Sequence, residues 1–183
     1  MERSARIGSL KSVIRALDIA AGKAGVNGLK VIICGGLAAI AYGMPERATL
    51  DIDAEIDTGY EVISKLKKGL EFPAEFTADI SRWSMIDIPE GYRERAVPYN
   101  EVRTKHVHVF LLSPIDLIIS KLRVFRDKDI DDAVFLIKKF RIKKSDILKA
   151  AEDAIKTSPA STEILRFKKM VAYFIKQAYP KSK

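Results

Sequence analysis

The 183-residue sequence holds one cysteine, Cys34, one tryptophan, Trp83, and two histidines, His106 and His108. A lone cysteine excludes an intramolecular disulfide, and neighbours such as Val31, Ile32 and Ile33 mark it as a buried core thiol. His106 and His108 share one face of a strand, the arrangement of a metal pair. With no further His or Cys to complete a shell, a half-exposed strand face is the better reading. Trp83 and the tyrosines do not alternate regularly with basic residues, so no base-stacking platform is read from them. No apolar run approaches the roughly 18 residues needed to cross a membrane, and the N-terminus is charged rather than signal-like. The expectation is a soluble, cytoplasmic protein with no membrane partner. Internal repeats and low-complexity linkers are also lacking.

What is present is ample apolar content, 48% of residues, enough for one domain or one domain with a small helical appendage. Lys and Arg number 32 against 24 Asp and Glu, a formal charge of +8. That balance suits a polyanionic partner such as a nucleoside triphosphate, RNA or DNA, or else it serves solubility alone.

Residues 3–22 are predicted to be a helix, with Ile7, Leu10, Ile14, Leu17 and Ala21 at three-to-four spacing and glycines at its end. "LKVIICG" is a short strand, apolar from Val31 onward, of the kind covered on both faces. "GLAAIAYG" follows as a short helix stopped by Gly43 and Pro45. "ATLDIDAEI" alternates, with Leu50, Ile52, Ala54 and Ile56 on one face and Asp51, Asp53 and Glu55 on the other. A helix is predicted at about 60–70, one or two strands in "FTADISRWSMIDI", a loop in "PEGYRERAVPYNEV" and a strand in "HVHVFLLS". The stretch "GYRERAVPY" suits an acceptor-binding lid or an ordinary surface loop.

From Ser113 onward only helices are predicted. "SPIDLIISKL" has a serine cap, proline at the first helical position and Asp116 three residues after the cap. "DKDIDDAVFLIKKF" is a second helix, a third is capped by Ser145, and a fourth spans 161–178. The fold class is therefore α+β: a mixed-sheet core with flanking helices over residues 1–113, then a helical bundle over 114–183.

Two like charges at Asp51 and Asp53 serve no folding purpose. On one strand face they stand about 6.6–7 Å apart, close enough for both to reach one hard cation or to bridge two. Magnesium takes a few carboxylates and fills its remaining sites with water and phosphate oxygens. Gly35 and Gly36, between a strand and a helix start, offer a bare backbone that phosphate can approach. Together they describe a cradle for a metal–triphosphate; the bland alternative is a solvated edge strand beside a plain turn. Arg47 and Thr49, just ahead of the aspartates, suit phosphate contact or a structural salt bridge equally.

The pattern "IICGG…YGMPERATLDIDAEI" resembles the polymerase β-like nucleotidyltransferase superfamily, whose signature is a strand ending in Gly-Gly or Gly-Ser, a short helix, then Asp-x-Asp. Gly36 stands where serine is frequent, and the stretch between glycines and aspartates is slightly long. "YG…R.T.DID" and "SPIDLIISKLRVFRDKDIDDAVFLI" resemble the minimal and abortive-infection toxin-like branch. The resemblance covers about residues 30–140. It implies magnesium-dependent transfer of a nucleoside monophosphate from an NTP to a hydroxyl of RNA, protein or a small molecule, and an antitoxin partner for a toxin. It also implies phosphate-binding roles for Lys121, Arg126 and Lys128, with Asp129 beside them; Lys121 on an apolar helix otherwise snorkels to water, and the rest form a charged helix start. A third catalytic carboxylate is implied on a neighbouring strand; "HVHVFLLS" offers none, so Asp87 in "SMIDIP" is the first choice and Asp79 the second. Without a third acid, the same fold would be a degenerate module that binds nucleotide, RNA or a protein without turnover.

Overall fold

In the computed structural model, residues 9–180 are described. The element order is α1 (Leu10–Lys23), β1 (Leu29–Ile33), α2 (Gly35–Ala41), β2 (Ile52–Ile56), α3 (Tyr60–Lys68) and β3 (Ala74–Thr77). A turn of 3-10 helix (Ile80–Trp83) follows, then α4 (Tyr92–Arg95), β4 (Val97–Pro98) and β5 (Val107–Leu111). The chain ends in α5 (Pro114–Val124), α6 (Asp127–Phe140), α7 (Lys144–Thr157) and α8 (Thr162–Ala178). The fold is α+β, a five-stranded mixed sheet with helices followed by a run of four helices. It divides into two compact units, Met1–Ile80 with Arg95–Leu112, and Ser81–Glu94 with Ser113–Lys183.

The first unit is organised by its sheet, ordered β3-β2-β1-β5-β4. β1 lies at its centre, antiparallel to β2 and parallel to β5. Its Val31, Ile32 and Ile33 are all buried, as a strand covered on both faces requires. β2 pairs parallel with β3 on its outer side, so Ile52 and Ala54 meet Ala74 and Phe76 on the core face. Val13, Ile14, Leu17 and Ala21 of α1 are buried at helical spacing and form much of the remaining core. Asp18 on the same helix accepts hydrogen bonds from the backbone N–H groups of Lys105, His106 and Val107, fixing the entry to β5. Burial alone would raise the Asp18 carboxyl, yet these three donors hold it below its ordinary value.

The second unit is held by α5 and α6. Ser113 caps α5 as its sequence implies: its hydroxyl accepts from the Asp116 N–H at 3.3 Å and donates to the Asp116 carboxylate at 2.6 Å. Leu117, Ile118, Ile119 and Leu122 are fully buried, and Leu136, Ile147, Phe167 and Phe174 supply the apolar faces of α6, α7 and α8.

Several local expectations are corrected. The first helix begins at Leu10, and the part predicted over residues 3–8 lies outside the described residues. β2 begins at Ile52, so Asp51 stands just ahead of the strand. No strand forms over residues 84–88, and the stretch 89–102, predicted as loop, contains α4 and β4. Ser145 lies inside α7, which starts at Lys144; the Asp146 carboxylate accepts the Lys143 N–H instead.

Candidate functional site

The first unit gathers Gly35, Gly36, Arg47, Thr49 and Asp53 at the end of β1 and the start of β2. The antiparallel β1–β2 pair does this, since the Cys34 N–H donates to the Asp53 carbonyl at 2.9 Å. Gly35 therefore stands directly beside the Asp53 side chain. Its φ is +62°, a left-handed conformation that favours glycine, and a Cβ there would overlap the Asp53 carboxylate. At Gly36 a Cβ would meet the Arg47 guanidinium at 2.8 Å and Thr49 Cβ at 3.2 Å. Two bare α-carbons thus leave room for one carboxylate, one guanidinium and one threonine.

The aspartates are oriented from nearby. The Thr49 hydroxyl donates to Asp51 Oδ1 at 2.8 Å. Arg47 donates from Nη1 to the Ala48 carbonyl, bending its side chain back along its own segment. Arg47, Thr49, Asp51 and Asp53 are all half-buried, wet enough to exchange a ligand and dry enough to hold one. Tyr42, at the end of α2, donates its buried hydroxyl to the Leu112 carbonyl at 2.9 Å and anchors the helix that follows the glycines.

The donor set fits a hard divalent cation that keeps other ligands. Asp51 and Asp53 supply oxygen ligands, and the bare α-carbon of Gly35 makes room for the Asp53 carboxylate. Among the described residues no group of three or more His, Cys, Asp or Glu could hold a metal ion by itself.

One acidic residue that sequence reasoning overlooked stands on β3. Glu75 is the register partner of Asp53, on the strand face away from the core, and its carboxylate lies 3.8 Å from Lys67 Nζ. Of the two strands flanking β2, β1 carries no acid, so Glu75 is the acid that the neighbouring strand supplies. Glu55, two residues beyond Asp53, is buried and accepts the Ile80 N–H at 2.9 Å. The signal for Glu75 was the strand alternation of "AEFT", which becomes informative only once its pairing with β2 is known.

The other candidates are carried by other elements. Asp79 follows β3, where its N–H donates to the Thr77 hydroxyl at 3.1 Å. Asp87 belongs to the second unit, and its N–H donates to Ser158 Oγ at 2.8 Å. Lys121, Arg126 and Lys128 are also in the second unit. Lys121 is buried, its Nζ 2.7 Å from Asp132 and 3.0 Å from Asp129. Arg126 and Lys128 are exposed at the start of α6. His106 packs against Gly22 and bonds Asn27 at 2.7 Å, while His108 is exposed on β5. No described helix is long and apolar enough to cross a membrane.

Comparison with known proteins agrees with this geometry. Residues 10–178 match the family described as "Nucleotidyltransferase of unknown function (DUF6036)". The crystal structure of an antigenic nucleotidyltransferase-like protein from Paracoccidioides brasiliensis is similar, with a TM-score of 0.51 and 17% sequence identity. That match covers 94% of this chain and 91% of the other, and at this identity it bears on the fold alone. No curated protein matches the sequence.

Proposed function

This chain belongs to the nucleotidyltransferase family DUF6036, and we propose that it moves a nucleoside monophosphate from an NTP to an acceptor hydroxyl in a magnesium-dependent reaction. The observation that carries this reading is the Asp53 carboxylate seated against the bare α-carbon of Gly35, with Thr49 orienting Asp51 beside it. A solvated edge strand needs neither a left-handed glycine under its carboxylate nor a threonine tied to its neighbour.

Asp51 and Asp53 would hold the metal. Bound there, magnesium supplies neutralising charge to the triphosphate and lowers the pKa of the attacking hydroxyl. The backbone of Gly35 and Gly36, at the start of α2, takes the phosphates, and Arg47 offers donors to their oxygens; Thr49 serves there by holding Asp51, to which its proton is given. In the transfer itself, the acceptor oxygen forms a bond to the α-phosphorus and the bond from that phosphorus to the bridging oxygen breaks. The electron pair leaves with pyrophosphate, and the hydroxyl proton passes to a third carboxylate. The resemblance asks for that carboxylate on a neighbouring strand, for which Asp87 is the first choice from sequence and Asp79 the second; the register with Asp53 favours Glu75. Lys121, Arg126 and Lys128 are the further phosphate-binding residues by the same resemblance. For Lys121, that role competes with its pairing to Asp129 and Asp132.

A second reading is a module that binds nucleotide, RNA or a protein partner without turnover. It draws support from the Glu75–Lys67 pair, which already engages the one acid on the neighbouring strand. The finer placement as the toxin of a toxin–antitoxin pair rests on the resemblance of residues 113–137. Its expected sign is growth arrest on expression that Asp53→Asn relieves.

The deciding experiment incubates wild type and Asp53→Asn with magnesium, each labelled NTP in turn, and total cellular RNA or protein. Label should pass to an acceptor with wild type only, while both proteins melt alike. Equal labelling by both would overturn the proposal, and NTP binding without labelling by either would favour the second reading.

A further inference from the structure

The net charge of the chain is not spread along it. Residues 1–137 hold 19 Lys and Arg against 20 Asp and Glu, whereas residues 138–183 hold 13 against 4. The last quarter of the sequence thus carries +9 and the rest carries −1. Solubility does not require such a division, since an interspersed surface serves it equally well.

The structure shows how these cations are presented. Three of them are engaged by neighbours on their own helices, Lys139 over the Phe135 ring at 5.6 Å, Lys156 with Asp153 at 2.8 Å and Arg166 with Glu163 at 3.2 Å. Lys144, Lys149, Lys168, Lys169 and Lys176 are exposed and form no ion pair among the described residues. Along α8 the buried stripe is Phe167, Val171, Phe174 and Ile175, and the helical period places Lys169, Tyr173 and Lys176 on an exposed one. Tyr173 is 53% exposed and makes two side-chain contacts. Phe125 meets its ring edge-on at 6.2 Å, and its hydroxyl accepts from Gln177 at 2.7 Å. Beside this stripe, Lys144, Ala172, Ile175, Lys176 and Tyr179 line an open groove of about 570 Å³.

We propose that α7 and α8 form a polynucleotide-binding surface, the lysines meeting successive phosphates and Tyr173 stacking on an unpaired base. Spaced unpaired cations match a repeating anion, and an exposed aromatic ring between two of them matches a base. An acidic protein segment would satisfy the charge but leaves the exposed tyrosine ring without a role. Given the transfer proposed above, the bound strand is the class of acceptor; that identification rests on the earlier reading, and the binding surface does not.

The test is fluorescence anisotropy with a labelled 20-nucleotide single-stranded RNA, the same DNA sequence, and a DNA duplex, in the absence of NTP and magnesium. Wild type should bind the single strands with an affinity that falls steeply with salt. Replacing Lys168, Lys169 and Lys176 together by alanine should weaken binding at least about tenfold and flatten the salt dependence. Tyr173→Ala should weaken single strands about fivefold or more while changing duplex binding little. Thermal melting of each variant confirms the fold. The proposal is overturned if the triple variant binds like wild type, if Tyr173→Ala has no effect on single strands, or if polyglutamate of equal charge competes as well as unlabelled strand. The RNA and DNA arms identify the preferred sugar. Strand binding by a protein without transfer activity would sink the proposed enzyme and spare this surface; transfer activity without strand binding would do the reverse.

Discussion

Glu75 stands in register with Asp53 across the parallel β2–β3 pair, so the two carboxylates emerge on the same face of adjacent strands. Neither the turn after α3 nor the fold of β3 requires an acid there. If Glu75 accepts the proton of the attacking hydroxyl, Glu75→Gln should lower the transfer rate by about 10²-fold or more. The melting temperature should change little, because Glu75 is exposed. Asp87→Asn, measured in parallel, should stay within a few-fold of wild type; the opposite ranking would move the role to Asp87.

Gly35 tolerates no side chain. Gly35→Ala would have to adopt a left-handed conformation and displace the Asp53 carboxylate at the same time. A destabilisation of about 1–3 kcal/mol is expected from the backbone alone. Transfer activity and magnesium-dependent NTP binding should be lost together. Denaturant titration and calorimetry separate the two effects, and a variant with wild-type NTP affinity would contradict the cradle.

Lys121 neutralises two carboxylates inside the second unit. With Asp132 fully buried, Lys121→Met would leave that charge without its ammonium, a loss of about 3–5 kcal/mol. Removing the acid as well, in Lys121→Met with Asp132→Leu, should restore much of the stability, since an apolar pair can replace a buried ion pair. Urea unfolding of the single and double variants decides this.

Asp18 makes stability depend on pH. Its folded pKa lies below the unfolded value of about 3.9, so its contribution is present above that value and is lost as pH falls through the folded one. Asp18→Asn should lower stability at pH 7 by about 1–3 kcal/mol, because three backbone donors lose a charged acceptor. The difference between variant and wild type should shrink in acid below about pH 4. A difference constant from pH 7 to pH 3 would refute the assignment.

Helices with a strong apolar period were readable from residue types. α5 announces itself by Ser113, Pro114 and Asp116, and the structure shows the cap that those residues imply. β1 was equally clear, because an unbroken apolar run at that length has few other uses. Residues 84–88 misled for a physical reason. Ile86 and Ile88 are buried alternately, as in a strand, yet the N–H groups of Ile86, Asp87 and Ile88 go to the hydroxyls of Ser84, Ser158 and Ser81. Period-two burial therefore arose without a partner strand. The glycines and aspartates were legible as a pair of motifs because their chemistry is local. Glu75 was not, since only the pairing of β2 with β3 brings it beside Asp53. The stripe of Lys169, Tyr173 and Lys176 escaped notice in the same way, being regular on a helix and irregular along the chain.

Gly36 has a different lesson from its neighbour. It sits in ordinary helical backbone, and a Cβ there would come within 2.8 Å of the Arg47 guanidinium and 3.2 Å of Thr49 Cβ, so a side chain requires Arg47 to swing aside. A side chain at this position is thus coupled to residues eleven and thirteen positions later. Selection for recovered activity, starting from Gly36→Ser, should return second-site changes at Arg47 or Thr49 and leave α2 untouched. A relative carrying serine at this point should carry a shorter residue where this chain has Arg47.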